Sequence, residues 1–336
     1  MHVGSGEHTY EWIDTWAKVP DSPSTREGWS HHGVVVSETG EVISFHQEDR
    51  TVLVFDAEGN LNRSWPSGLT EAHGMTLVKE GDAEVLWFAD NGRKRFYTDR
   101  YEYPDGDVQV TGRVVKKTLD GETLLELNTP PLSAYDTGNY MPTWVAVHEE
   151  RMGGSGDVWV ADGYGQNYVH RFTKDGGYVA SINGEEGDAG AFSCPHAIFI
   201  DYRKPEAELY VADRTNGRVQ VYDVDGAWKR TFGADFLTSP SGFATDGDLM
   251  VIVELRARLT IVDLDDKLVT YLGANEEVCE VPGWPNNQDE GGKLIRPKVL
   301  EPGKFNSPHG MTVDPDGNIY VAEWLIGGRF VKLVKA

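Results

Sequence analysis

The chain has 336 residues, a quarter of them charged, and a formal net charge of −23 at pH 7. Such an acidic surface repels nucleic acid and anionic membranes, so neither is expected as a partner. No apolar run reaches the ~18 residues of a membrane span. The opening MHVGSGEHTYEW has no basic region followed by an apolar core, so a cytoplasmic protein is expected.

The 38 glycines and 16 prolines supply many tight turns. Ten tryptophans and fourteen tyrosines suit packed strands. In chain order, the first strand signal is Tyr10–Lys18 (YEWIDTWAK). A repeated unit then begins: an apolar run, a polar turn, and a second apolar run ending in an acid. Its copies are HGVVVSETGEVISFHQEDRTVLVFD (32–56), HGMTLVKEGDAEVLWFADNGRKRFY (73–97) and WVAVHEERMGGSGDVWVADGYGQNYVHRF (144–172). HAIFIDYRKPEAELYVADRTNGRVQVYD (196–223), the weaker GFATDGDLMVIVELRARLTIVD (242–263) and HGMTVDPDGNIYVAEW (309–324) complete the set of six. The residue at each unit's start is His32, His73, Thr143, His196, Ser241 or His309.

Spacings between these markers run from about 40 to about 70 residues, and several strands per unit at this period is a propeller signature. The two long intervals hold insertions. Residues 97–114 alternate like a hairpin, and 278–297, rich in Gly, Pro and Asn, reads as a loop. The last unit ends without a fourth strand, and Tyr10–Lys18 can supply it, which closes the ring and removes its exposed edges. The expected fold is therefore all-β: one six-bladed β-propeller domain over 1–336, closed by the N-terminal strand. Two cysteines, Cys194 and Cys279, form no framework; one disulfide or two thiols fit, and thiols are expected in a cytoplasm.

Three histidines mark alternate units: His73, His196 and His309. In a closed ring they converge on the axis. Three neutral imidazoles with an open fourth position make a catalytic zinc site. The ordinary reading of any one such histidine is a bridge between neighbouring blades. His32 adds a fourth and interrupts the alternation; a cavity-lining, acid–base, ligand or supporting role fits it. Asp90, Asp162, Asp213, Glu254 and Glu323 recur at the end of the second strand and read mainly as turn holders, some of which orient a histidine. His46 takes that place in the first unit. Trp29, His31, Tyr140 and Trp144 read as an aromatic wall facing a small-molecule substrate, or as ordinary packing.

The repeats resemble NHL repeats, as in HGMTVDPDGNIYVAEW. The alternate histidines together with ADGYGQNYVHRF (161–172) and VADRTNGRVQVYD (211–223) resemble the peptidyl-α-hydroxyglycine α-amidating lyase family. That resemblance implies a six-bladed propeller whose zinc, held by His73, His196 and His309, helps to cleave the C–N bond of a carbinolamide. It also implies Tyr164 as the base and Arg214 as an active-site arginine, with Arg218 the alternative if the motif is aligned on NGR. The chain departs from the family at Gly165, where a cysteine is expected, and at Ser307, where a methionine is. Gly310 replaces the acid after the last histidine, which weighs against the family's structural calcium. The first-blade arginine has no counterpart; His31 and His32 occupy that region. These departures widen the expected substrates to small carbinolamides and hydroxy-carbonyl compounds.

Two other classes stand beside this reading. One is a non-enzymatic propeller that binds a protein or peptide. The other is a gluconolactonase-type calcium hydrolase, disfavoured because imidazoles suit zinc better than a hard cation. Nothing in the chain fixes an oligomeric state.

Overall fold

The computed structural model describes residues 1–47, 49–93 and 110–336. Its strands form the sheets of a six-bladed β-propeller, each blade antiparallel. The first blade is Val34–Val36, Val42–Phe45, Thr51–Phe55 and Leu61–Pro66. The second is Ala72–Glu80, Ala83–Asp90, Arg113–Thr118 and Thr123–Leu127. The third is Trp144–Val147, Val158–Ala161, Val169–Phe172 and Tyr178–Ile182. The fourth is Pro195–Asp201, Glu208–Asp213, Arg218–Asp223 and Trp228–Phe232. The fifth, written most faintly in sequence, is a regular sheet: Pro240–Asp246, Leu249–Glu254, Arg258–Val262 and Leu268–Leu272.

The sixth blade takes strands from both ends of the chain. Pro308–Val313, Ile319–Glu323 and Arg329–Lys335 are followed by His8–Ile13, with Tyr10 opposite Lys335 and Trp12 opposite Leu333. The closing strand thus starts and ends earlier than Tyr10–Lys18. His2–Ser5 adds a fifth, outer strand that the sequence did not announce. The expected hairpin over 97–114 falls largely on 97–109, outside the described residues; its last residues, Arg113 and Val114, open the second blade's third strand. The 278–297 loop carries a short 3-10 turn ending at Glu280 and a small hairpin, Asn287–Gln288 with Leu294–Ile295. Among the described residues no helix is long and apolar enough to cross a membrane.

The second strands are continuous apolar runs because both their faces are covered. All of Glu208–Asp213 is buried, whereas the outer Tyr178–Ile182 is mostly half-exposed. The residues divide into two compact units, 1–68 with 244–336, and 69–93 with 110–243, among those described. In the first unit Tyr10, Trp12, Phe305, Val321 and Leu333 share one core. In the second, Trp87, Tyr140, Val145, Val160 and Phe172 share another.

Candidate functional site

The three alternate histidines share a local geometry. In the second blade Ala72 pairs with Asp90 and Gly74 with Ala89, so His73 is the extra residue of a β-bulge. His196 is the extra residue between Pro195, opposite Asp213, and Ala197, opposite Ala212. His309 is the extra residue between Pro308, opposite Glu323, and Gly310, opposite Ala322. A bulge re-aims one side chain without breaking the blade. The first and third blades pair without a shift between their first two strands.

The ring tautomer is fixed in the same way three times. His73 Nδ1 lies 2.7 Å from the Thr143 carbonyl, His196 Nδ1 2.8 Å from that of Ser241, and His309 Nδ1 3.2 Å from that of His32. Each acceptor is the marker residue of the blade that follows. A carbonyl can only accept, so each Nδ1 carries the proton and each Nε2 presents a lone pair. The H-G pairs have the same origin. A Cβ on Gly74 would strike the Thr143 carbonyl, and one on Gly310 would strike that of His32.

Four of the acids that end second strands fix the segment that leads into the marker. Asp90 accepts from the Thr70 and Glu71 amides, both at 2.9 Å. Asp162 accepts from Met141 at 2.7 Å, Asp213 from Ser193 at 2.7 Å, and Glu323 from Asn306 at 2.6 Å and Ser307 at 3.0 Å. These acids hold turns, as their recurrence suggests, and the turns they hold present the histidines. His46, in the first blade, accepts from the Asp49 amide instead.

Within residues 69–93 and 110–243, four predicted site residues come together. The His73 and His196 rings lie 4.8 Å apart. The Tyr164 hydroxyl is 3.1 Å from Nε2 of each. Arg214 donates from Nη1 to the Tyr164 oxygen at 3.3 Å, with its guanidinium 5.4 Å from the ring centre. Arg218 instead binds Asp213 at 2.7 Å and the carbonyls of Ala189, Gly190 and Ala191. The alignment that selects Arg214 is therefore the one that reaches Tyr164. Trp144 sits 6.4 Å from the His196 ring. Tyr140 lies deeper, against Tyr135 and His170.

Sequence reasoning passed over a buried relay beside this group. The Tyr135 hydroxyl donates to Asp162 at 2.7 Å and lies 2.7 Å from His170 Nε2, while His170 Nδ1 meets the Ser181 hydroxyl at 2.7 Å. Burial raises the Asp162 carboxyl to about 6, against the lowering effect of hydrogen bonds from Gln166, Tyr135 and Met141. Burial lowers His170 to about 3. The only sequence signal was His170 at a strand position where an apolar residue also fits. Cys194 and Cys279 are free thiols, and burial pushes the Cys194 thiol up while Arg214 opposes the shift.

In residues 1–68 and 244–336, His309 faces His31 at 4.7 Å between ring centres, and His31 faces Trp324 at 5.8 Å. Trp29 packs on Trp324 at 5.8 Å in a cluster with Ile326. His32 is fully buried within its own blade, between the Ser30 hydroxyl on Nε2 at 3.0 Å and the Ser44 hydroxyl on Nδ1 at 3.1 Å, and stacks on Phe330. Ser307, where the resemblance led to the expectation of a methionine, donates to the Trp324 carbonyl at 2.6 Å.

Fold and repeat together define an NHL-type six-bladed propeller, and the NHL repeat model matches residues 305–324. The chain is 28% identical over 222 residues to human NHL repeat-containing protein 3, covering 63% of this chain and 57% of that protein. It is 24% identical over 324 residues to peptidyl-alpha-hydroxyglycine alpha-amidating lyase 1 of Drosophila melanogaster, covering 86% of this chain and 54% of that protein. It thus spans little more than half the length of these relatives. A streptogramin B lyase structure superposes with a TM-score of 0.58 at 15% identity, covering 96% of this chain and 97% of that one, a likeness of fold.

Proposed function

We propose that the chain is a zinc-dependent lyase acting on a small carbinolamide or hydroxy-carbonyl compound. The metal ligands are His73, His196 and His309, Tyr164 is the acid–base group, and Arg214 is the substrate anchor. The carrying observation is the threefold recurrence of one device: a bulged histidine whose Nδ1 is spent on the next marker's carbonyl, which leaves Nε2 to coordinate. Orientation of ligand imidazoles by carbonyls is the usual support of a zinc site. The donor set also fits, because neutral imidazoles suit zinc. His31, whose ring lies 4.7 Å from that of His309, competes with His196 for the third place. Calcium fits poorly, since Gly310 offers no carboxylate and no room for one.

Zinc held by three neutral ligands supplies positive charge that lowers the pKa of a hydroxyl near it toward ~7. The chain's own residues carry the rest. Tyr164 takes the proton of the substrate hydroxyl. The C–O bond becomes C=O as the C–N bond breaks, and the departing nitrogen takes the electron pair and then a proton. Arg214 holds the Tyr164 oxygen by a charge-assisted hydrogen bond and stabilises its phenolate. The same guanidinium is placed to bind a substrate carboxylate or keto oxygen. The lyase relatives support the choice of reaction.

Elemental analysis before and after chelation tests the metal, with about one zinc per chain expected. A screen of α-hydroxyglycine derivatives and related hydroxy-carbonyl compounds, read by glyoxylate or another carbonyl product, tests the chemistry. Full zinc occupancy in His196→Ala with loss in His31→Ala reassigns the third ligand. Calcium alone in the native protein overturns the zinc reading.

A further inference from the structure

A cavity of about 460 Å3 lies in the unit made of residues 1–68 and 244–336. Four cations line it: Lys18, Arg26, Arg296 and Arg329. Two of them are neutralised by the protein. Arg26 pairs with Asp21, and the buried Arg329 pairs with Asp14 at 2.6 Å and Glu323 at 3.2 Å. The other two make no direct ion pair with a carboxylate among the described residues, although Glu323 and Asp14 act on Arg296, and Asp56 on Lys18, through space. Lys18 donates to the neutral Asn60 amide oxygen at 2.5 Å. Arg296 donates only from Nη1, to the carbonyls of Ile326 and Gly328, each at 2.7 Å.

This arrangement is built by the local backbone. Gly327 and Gly328 have φ of 75° and 56°, a turn that points two carbonyls at one guanidinium nitrogen. A Cβ on Gly327 would collide with Arg296 Nη1 and come 2.7 Å from the Arg26 carbonyl. The guanidinium is thereby fixed by one nitrogen, while Nε and Nη2 make no hydrogen bond to described residues. Burial and the neighbouring Arg329 make its proton less tightly held than usual, against the opposing pull of Glu323 and Asp14. Keeping a half-buried cation without a direct ion pair is costly, and the cost is offset when an anion binds it. One carboxylate, Asp21, lines the cavity beside these four cations, in a chain whose net charge is −23.

We infer that this cavity binds a small organic oxyanion, a carboxylate or a phosphate ester, gripped by Nε and Nη2 of Arg296 and assisted by Lys18. Side-on pairing of Nε and Nη2 with two oxygens is the geometry in which arginine recognises such groups. Ala17, Val19 and Phe330 on the lining accommodate an apolar body attached to the anion. The site is separate from the proposed zinc ligands and does not depend on them.

Isothermal titration of the full chain with benzoate, phenyl phosphate, inorganic phosphate and neutral benzamide tests this. Benzoate or phenyl phosphate is expected to bind and benzamide not to. The stronger of the two anions identifies the carboxylate or the phosphate source. Arg296→Met is expected to weaken binding at least about tenfold, and Lys18→Met, at an exposed position, about threefold. Should Arg296→Met fail to fold, Lys18→Met and a fall in affinity with added sodium chloride carry the same test. No heat with any anion, or affinity unchanged by these substitutions and by salt, overturns the inference.

Discussion

The fourth and sixth blades present their histidines by one device and surround them differently. His196 and His309 are both bulged after a proline, and both spend Nδ1 on the next marker's carbonyl. Around His196 stand a phenol and a guanidinium in hydrogen-bonding reach of one another. Around His309 stand His31 and the Trp29–Trp324 pair. The bulge is therefore shared by the three blades that carry the alternate histidines, while the groups around it come from segments particular to each blade. Ionisable groups gather around Tyr164, and aromatic packing around Trp324.

The largest expected effect breaks the sixth blade as a whole. Deleting residues 1–13 removes the His8–Ile13 strand and with it buried Tyr10 and Trp12. Loss of Trp12 alone costs about 3–5 kcal/mol. The truncated chain is expected to lose its cooperative thermal transition or to melt far lower, and an unchanged melting temperature counts against the closure.

Tyr164→Phe sharpens the contrast between the two sides. It leaves the imidazoles in place and removes the proton carrier. Zinc content is expected to stay the same while turnover falls about 10²–10⁴-fold. Full activity in this variant refutes the assigned role, whatever the metal content.

His170→Gln probes the relay that underlies the Tyr164 side. The folded pKa of His170 is lowered to about 3 from an ordinary 6.5. The folded state therefore binds fewer protons than the unfolded one between these values, and the stability held above pH 6.5 is lost as pH falls toward 3. Asp162, raised to about 6, acts in the opposite sense, adding stability as pH falls from about 6 toward 4. Removing His170 should make the protein about 2–3 kcal/mol less sensitive to a drop from pH 7 to pH 4.5, measured by urea unfolding at both. Equal sensitivity of variant and parent would show that His170 is not held neutral.

The smallest effect is expected from Arg214→Lys. The charge remains but the planar fork is lost, so KM should rise about tenfold with little change in zinc. A fall in kcat with KM unchanged would instead place the guanidinium's effect in the transition state alone.

Much of the fold was legible from the chain because propeller strands repeat locally. Period, apolar runs and turn residues announce each blade, and the spare N-terminal strand announces closure. The exceptions are instructive. His2–Ser5 was missed because an edge strand with three exposed residues has no apolar pattern to read. The third strand of the second blade, Arg113–Thr118, follows the 97–114 insertion, which separates it from its partners in sequence. Side-chain neighbours were only partly legible. The alternate histidines, Tyr164 and Arg214 could be named from motifs, and so could the acids at strand ends. That Asp90, Asp162, Asp213 and Glu323 fix the segments leading into markers depended on pairing across about 16 to 21 residues. The bulges are invisible in sequence because they arise from register between two strands. The choice of Arg214 over Arg218 and the Arg296 cavity rest on contacts between residues far apart in the chain, which only the packed backbone sets. Local periodicity is written in residue order, whereas ring tautomers, ion pairing and cavities depend on distances that folding alone creates.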